Sequence, residues 1–285
     1  MTSGRIAKLG RSLAPGVVVL AGAAAVAACA SNNKVEISDE EYDDVAISIA
    51  TTVRTDASGG ELGALADGIT LARGGTIVGF AVAADDPGAV TGTRGDETYR
   101  YAIVCRGVDG AILAVCDGLT DSADISVTWS GPLAVPYNAA VPSRTGRFLA
   151  TGLAGAAVTA SGSAKLAYTT AYRSQTRGVI ASYEIAQTAT YSRLELAASA
   201  NWPTAGVVMY ALEVRSKRER ENVTAVRHIE LPGTLSFGSS GHATLELDYD
   251  SVAAADTSSR RIYDLELATG ALVRTGGSEL AGGAN

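Results

Sequence analysis

Leu235-Ser236-Phe237-Gly238-Ser239-Ser240-Gly241-His242-Ala243-Thr244-Leu245-Glu246-Leu247-Asp248-Tyr249 decides the fold class. Leu235 and Phe237 stand two apart, as do Ala243, Leu245, Leu247 and Tyr249, and polar residues fill the gaps within each run. Period two marks a strand with one dry and one wet face. The three-residue loop Ser239-Ser240-Gly241 puts both apolar sets on the same face. Gly241 supplies the left-handed backbone such a loop needs. The stretch predicts an antiparallel hairpin.

The same period recurs on both sides of it. Ile125, Val127 and Trp129 alternate with Asp124, Ser126 and Thr128. Leu166, Tyr168, Thr170 and Tyr172 share one face of another run, and Val208, Tyr210, Leu212 and Val214 line a third. Leu265 and Leu267 face Leu272 across a Thr269-Gly270 turn, and Ile77 with Val78 opens the first strand. Roughly ten to twelve strands joined by hairpin turns describe an antiparallel all-β domain. The expected fold is mainly β, an antiparallel β-sandwich or a curved, barrel-like sheet over residues 76–275. A short helical subelement precedes it over residues 38–75, and residues 276–285 are expected to form a flexible tail.

The helical subelement has its own signals. Ser38 and Glu41 form a capping box, and Asp39, Glu40 and Glu41 sit in the first turn, where the helix dipole favours carboxylates. Tyr42, Val45, Ala46, Ile49 and Val53 then recur at three and four. The acidic run through Asp44 is explained by the cap rather than by calcium. Gly59-Gly60 breaks the pattern, Leu62, Leu65 and Ile69 give a shorter helix, and Gly74-Gly75 ends it.

Hydrophobic residues make up 47 % of the 285, enough for a sizeable core. A formal net charge of −7 argues against nucleic acid as a partner, because phosphate binding needs clustered Lys and Arg. With two His and three Cys, the chain has little material for a zinc site.

The first 28 residues read as a signal peptide. Arg5, Lys8 and Arg11 form a basic region free of acidic residues, followed by the apolar run Leu13 to Ala28. That run ends Val26-Ala27-Ala28-Cys29. Here the sequence resembles the bacterial prolipoproteins, whose lipobox is a branched apolar residue, two small residues and a Cys. Val stands where Leu is commoner. The resemblance implies that Cys29 carries the lipid, that cleavage falls before it, and that the chain is tethered to a membrane of the cell envelope. With Ala30 rather than Asp after Cys29, it implies the outer membrane in preference to the inner one. Two or three acyl chains suffice for stable anchoring. Residues 29–37 would then be a polar tether. Asp43-Asp44-Val45-Ala46, with Gly59-Gly60-Glu61-Leu62-Gly63-Ala64, resembles uncharacterised lipoproteins of myxobacterial type, a resemblance that implies no activity.

Cys105 and Cys116 flank an Asp109-Gly110 turn between two strand-like runs. In an exported domain this predicts a disulfide. The alternatives are a redox pair, which the spacing disfavours, and two free core thiols.

No catalytic constellation stands out. His228 lies on a strand, and His242 follows the 239–241 turn. A triad of Ser240, His242 and an Asp lacks the strand-to-helix elbow such a nucleophile needs. Glu246, Asp248 and Asp250 share the polar face of one strand. They read as a wet face pairing with Arg260 and Arg261, the alternative being a hard-cation site. Arg94-Gly95-Asp96 is a turn, Asn222-Val223-Thr224 is a sequon with no expected use, and Ser216 to Glu221 reads as an exposed hairpin loop. The sequence therefore predicts a membrane-tethered, non-enzymatic structural or interaction module without cofactor, meeting an envelope protein partner through edges or loops. The alternative is a lipocalin-like carrier with Tyr168, Tyr172, Tyr183 and Tyr191 lining its lumen, and behind it a hydrolase.

Overall fold

A computed structural model describes residues 37–53, 60–132, 143–173, 180–197, 202–220, 223–249, 260–275 and 279–280. The signal peptide, Cys29 and Asp250 lie outside the described residues, as does most of the expected tail.

The capping box forms. The Ser38 backbone N–H donates to Glu41 Oε2 at 3.0 Å, the Glu41 N–H reaches Ser38 Oγ at 3.4 Å, and helix α1 runs Asp39–Val53. Ile37, expected in the tether, is instead buried in the core next to this cap. Tyr42, Val45, Ala46, Ile49 and Val53 are buried, and so are Ser48, Thr51 and Thr52 on the other side of the helix. Buried hydroxyls are costly unless bonded, and two of these three are satisfied within the helix, while Ser48 Oγ has no hydrogen-bond partner among the described residues. Thr51 donates to the Ile47 carbonyl and Thr52 to that of Ile49, each at 2.8 Å. Helix α2 (Glu61–Ala72) follows Gly60 and stops where Gly74 turns left-handed at φ +76°.

The strands are β1 (Phe80–Ala83), β2 (Asp86–Arg94), β3 (Glu97–Arg106), β4 (Ser122–Ser130), β5 (Ser143–Thr151), β6 (Ala157–Arg173) and β7 (Ile180–Ala197). They continue as β8 (Ala205–Arg220), β9 (Val223–Phe237), β10 (His242–Asp248), β11 (Arg260–Glu266), β12 (Leu272–Arg274) and the two-residue β13 (Glu279–Leu280). All belong to one antiparallel sheet in which each strand pairs only with its neighbours in sequence. The sheet is open, with β1 and β13 as its edges. Of the two expected arrangements the single curved sheet holds, and the described residues form no second sheet to make a sandwich.

One face of this sheet wraps the helices. Glu61 of α2 meets β7, Tyr101 of β3 donates to the Ala64 carbonyl at 3.1 Å, Glu41 of α1 meets β8 and β9, and Asp43 meets β11 and β12. α2 approaches β4 so closely that a Cβ on Gly68 would lie 2.7 Å from Ile125 Cγ2. Pairing slips at Ala160/Gly162 and at Ser192/Glu195 bend β6 to β8, helped by Arg193 at φ +50°. The inner face is apolar and aromatic. Tyr99 stacks between Tyr101 and Trp129 at 6.2 and 6.5 Å, and Phe148 meets Tyr191 edge-on at 5.2 Å. The outer face carries Asp124, Thr128, Arg147, Lys165, Glu184, Glu213 and Arg215, the reverse of a lipid-facing barrel, whose outside is apolar.

The hairpin at 235–249 forms as expected, with Phe237 opposite Ala243, Leu235 opposite Leu245, and Gly241 at φ +77°. Leu265 likewise pairs with Leu272. Three expectations change. Ile77 and Val78 do not open a strand: the Phe80 N–H donates to the Ile77 carbonyl in a turn, and β1 starts at Phe80. Ser216 to Arg220 is not a loop but the end of β8, with Ser216 buried, because the strand period continues there in polar residues. Glu279 and Leu280, placed in the flexible tail, extend the sheet edge beside β12.

Candidate functional site

The sheet interior holds a chain of polar groups that no local pattern announces. Glu61, at the first turn of α2, accepts a hydrogen bond from Tyr191 and another from Gln187 Nε2 at 3.2 Å, and Thr52 lies 3.4 Å from the same Nε2. Burial pushes the Glu61 carboxyl up to about 7, against the Tyr191 and Gln187 hydrogen bonds and the Arg144 charge that hold it down. Tyr210 is pushed well up by burial and by the Glu61 charge, and among the described residues its hydroxyl and Gln187 Oε1 have no hydrogen-bond partner. Arg144, fully buried on β5, pairs with Glu97 and lies over the Trp129 ring at 5.4 Å, and Tyr99 donates to Glu97 at 2.5 Å. The Glu61 hydrogen bonds join α2 to β7, and the Arg144–Glu97 pair joins β5 to β3. Glu61, Gln187, Tyr191 and Arg144 are all buried.

Ionic ties surround the start of α1. Asp39 is hydrogen-bonded by Arg261, which holds its carboxyl below the usual range, and Arg274 lies 3.3 Å away. Asp43 accepts from Tyr263 at 3.0 Å, yet burial raises its pKa. Asp44 accepts from Tyr183 at 2.7 Å. Glu41 lies 3.4 Å from Arg227 and 3.7 Å from Arg218. The acidic run of α1 is thus committed to arginines and tyrosines of the sheet.

The other sequence candidates are dispersed. His242 Nδ1 lies 3.2 Å from Asp264 on the exposed outer face, and no hydrogen bond joins it to Ser240. Glu246 pairs with Arg260 at 2.5 Å, as the wet-face reading has it, whereas Arg261 turns to Asp39 and lies over Tyr42 at 5.1 Å. Asp248 sits opposite Arg260 in the ladder. Among the described residues no group of three His, Cys, Asp or Glu side chains is arranged to hold a metal. Arg94 of the Arg94-Gly95-Asp96 turn is bound to Asp67 at 2.7 Å. Tyr168, Tyr183 and Tyr191 are buried on the inner face, while the side chain of Tyr172 lies outside the described residues. His228 faces outward into an open cleft of about 470 Å³ shared with Thr169, Glu184, Glu213 and Arg215.

Cys105 and Cys116 form the expected disulfide. Only one of the two expected strands is present there. The leg after the turn makes a single bridge, Ile112 to Arg106, because β4 occupies the pairing edge of β3. The excursion from Gly107 to Thr120 is held by the Gly107 N–H to the Ala111 carbonyl at 3.0 Å, by the Leu113 N–H to the Cys105 carbonyl at 2.9 Å, and by Asp109 and Asp117, which accept from the N–H groups of Ala111 and Leu119. No protein family model, no curated protein and no solved structure matches the chain.

Proposed function

We propose that this chain is a lipid-anchored protein of the bacterial cell envelope, tethered through Cys29 to the outer membrane, whose folded part serves as a non-enzymatic structural or interaction module. The observation that carries this reading is what occupies the inside of the sheet. Two helices and a continuous set of Tyr, Trp, Phe and Leu side chains lie where a carrier would keep its lumen. The buried polar groups around Glu61 tie α2 to the sheet. What remains for contact with other molecules is the outer face and the loops at the strand ends. The Val26-Ala27-Ala28-Cys29 lipobox supports the tether.

The test is metabolic labelling with an alkyne fatty acid in an outer-membrane bacterium. Labelled wild type and unlabelled, membrane-released Cys29→Ser are expected. An unlabelled wild type processed identically to Cys29→Ser overturns the tether. A lipid retained by the folded part through purification, seen in native mass spectrometry, overturns the module reading in favour of the carrier.

A further inference from the structure

The excursion between β3 and β4 exposes large apolar side chains in unusual concentration. Val108 is 84 % exposed, Ile112 66 %, Val115 71 % and Leu119 73 %, all within twelve residues. Val104, next to the loop on the outer face of β3, adds a fifth exposed apolar side chain. Exposed apolar side chains gathered in one short loop mark a candidate interaction site.

The loop is held in shape while exposed. The disulfide closes it, backbone hydrogen bonds pair its first leg, and Asp109 and Asp117 lock two of its turns. A preorganised loop loses little entropy when a partner covers it.

Charge identifies the partner. Asp109, Asp117 and Asp121 flank the apolar residues along the chain, and among the described residues none of the three has an ion pair, while Arg106 is already bound to Asp124 at 3.0 Å. An acidic rim repels anionic headgroups and a second copy of itself, and it suits a basic surface.

We propose that the disulfide-clamped loop Gly107–Thr120 is the docking tip of the molecule and binds a protein surface with an apolar centre and a Lys/Arg rim. The proposal rests on the reading of the folded part as an interaction module.

The experiment places a benzophenone-bearing residue at Val115 or Leu119 of the full chain in its own organism, with Thr169 in the outer-face cleft and Thr145 on β5 as comparison positions. The expected result is one discrete protein adduct from Val115 and Leu119, whose cross-linked peptide is apolar and flanked by Lys or Arg. Its yield should fall several-fold in Asp109→Asn/Asp117→Asn/Asp121→Asn. Adducts to lipid or to a second copy, an adduct indifferent to the triple substitution, or none at the loop overturns the proposal. An adduct from Thr169 alone overturns the docking tip and leaves the module reading standing. Adducts from no position sink both.

Discussion

Tyr191 donates a hydrogen bond to Glu61 across 130 residues of chain, and this contact pins the start of α2 to the middle of β7 inside a dry interior. The carboxylate is poorly solvated there, and the neutral form is favoured.

That preference makes stability depend on pH. A carboxyl whose folded pKa of about 7 lies above its ordinary 4.5 binds more protons folded than unfolded between those values. Its contribution is therefore fully present below about pH 4.5 and is lost as pH rises through 7. The loss is on the order of 3 kcal/mol at most. Urea denaturation of wild type and Glu61→Gln at pH 5 and pH 8 reads this directly. The wild type should lose stability relative to the variant on going to pH 8, and parallel behaviour of the two would refute the assignment.

Arg144 and Glu97 form a sealed pair beneath Trp129. Removing one member leaves the other charge buried. Arg144→Met should cost about 3–5 kcal/mol, far more than truncating the exposed Arg215 that faces Glu184 at 3.8 Å. Chemical denaturation midpoints of the two variants separate these magnitudes.

The Cys105–Cys116 bridge closes a short loop, with a sequence separation of 11. Its removal by Cys105→Ser/Cys116→Ser should cost roughly 2–3 kcal/mol. Non-reducing peptide mapping should recover the linked pair from wild type, and reductant should lower the wild-type melting temperature while leaving that of the variant unchanged.

Gly68→Ala tests the helix–sheet approach. In a free helix the change gains about 1 kcal/mol. Here the new methyl would sit 2.7 Å from Ile125 Cγ2, with Tyr101 Cε1 at 3.5 Å on the other side. Overpacking of this kind costs about 1–3 kcal/mol, so the net sign should be destabilising. A melting temperature above wild type would show that α2 shifts freely over β4.

The hairpins and both helices were legible because their signals are local. Gly241 and the alternation around it, or Ser38 with Glu41, act within a few residues. Ile77 and Val78 misled because β-branched residues favour strands, whereas Gly79, at φ +86°, breaks the chain just before Phe80. The end of β8 was misread because Ser216 holds the buried face where an apolar residue is expected. Glu61 had no local signal at all. At a helix start a Glu looks like an exposed residue favoured by the dipole, and its burial is set by Gln187 and Tyr191, 126 and 130 residues away. The apolar tip was hidden in the same way, since Ile112 and Val115 read as a strand until β4 is seen to occupy the edge they would need.

The strictly sequential pairing of the strands bears on how the molecule assembles during synthesis. A chain released from its N-terminus presents the helices first, and every later strand finds its template in the one made just before it. No strand has to wait for a distant partner, which keeps the slow, aggregation-exposed search of non-local sheets short. The exception is the closing step. Arg261 and Arg274 arrive last and bind Asp39 and Asp43, which arrived first. Release of the C-terminal strands is therefore the event that locks the helices inside, and a chain stalled before Arg261 should hold a nearly complete sheet around helices that are still loose.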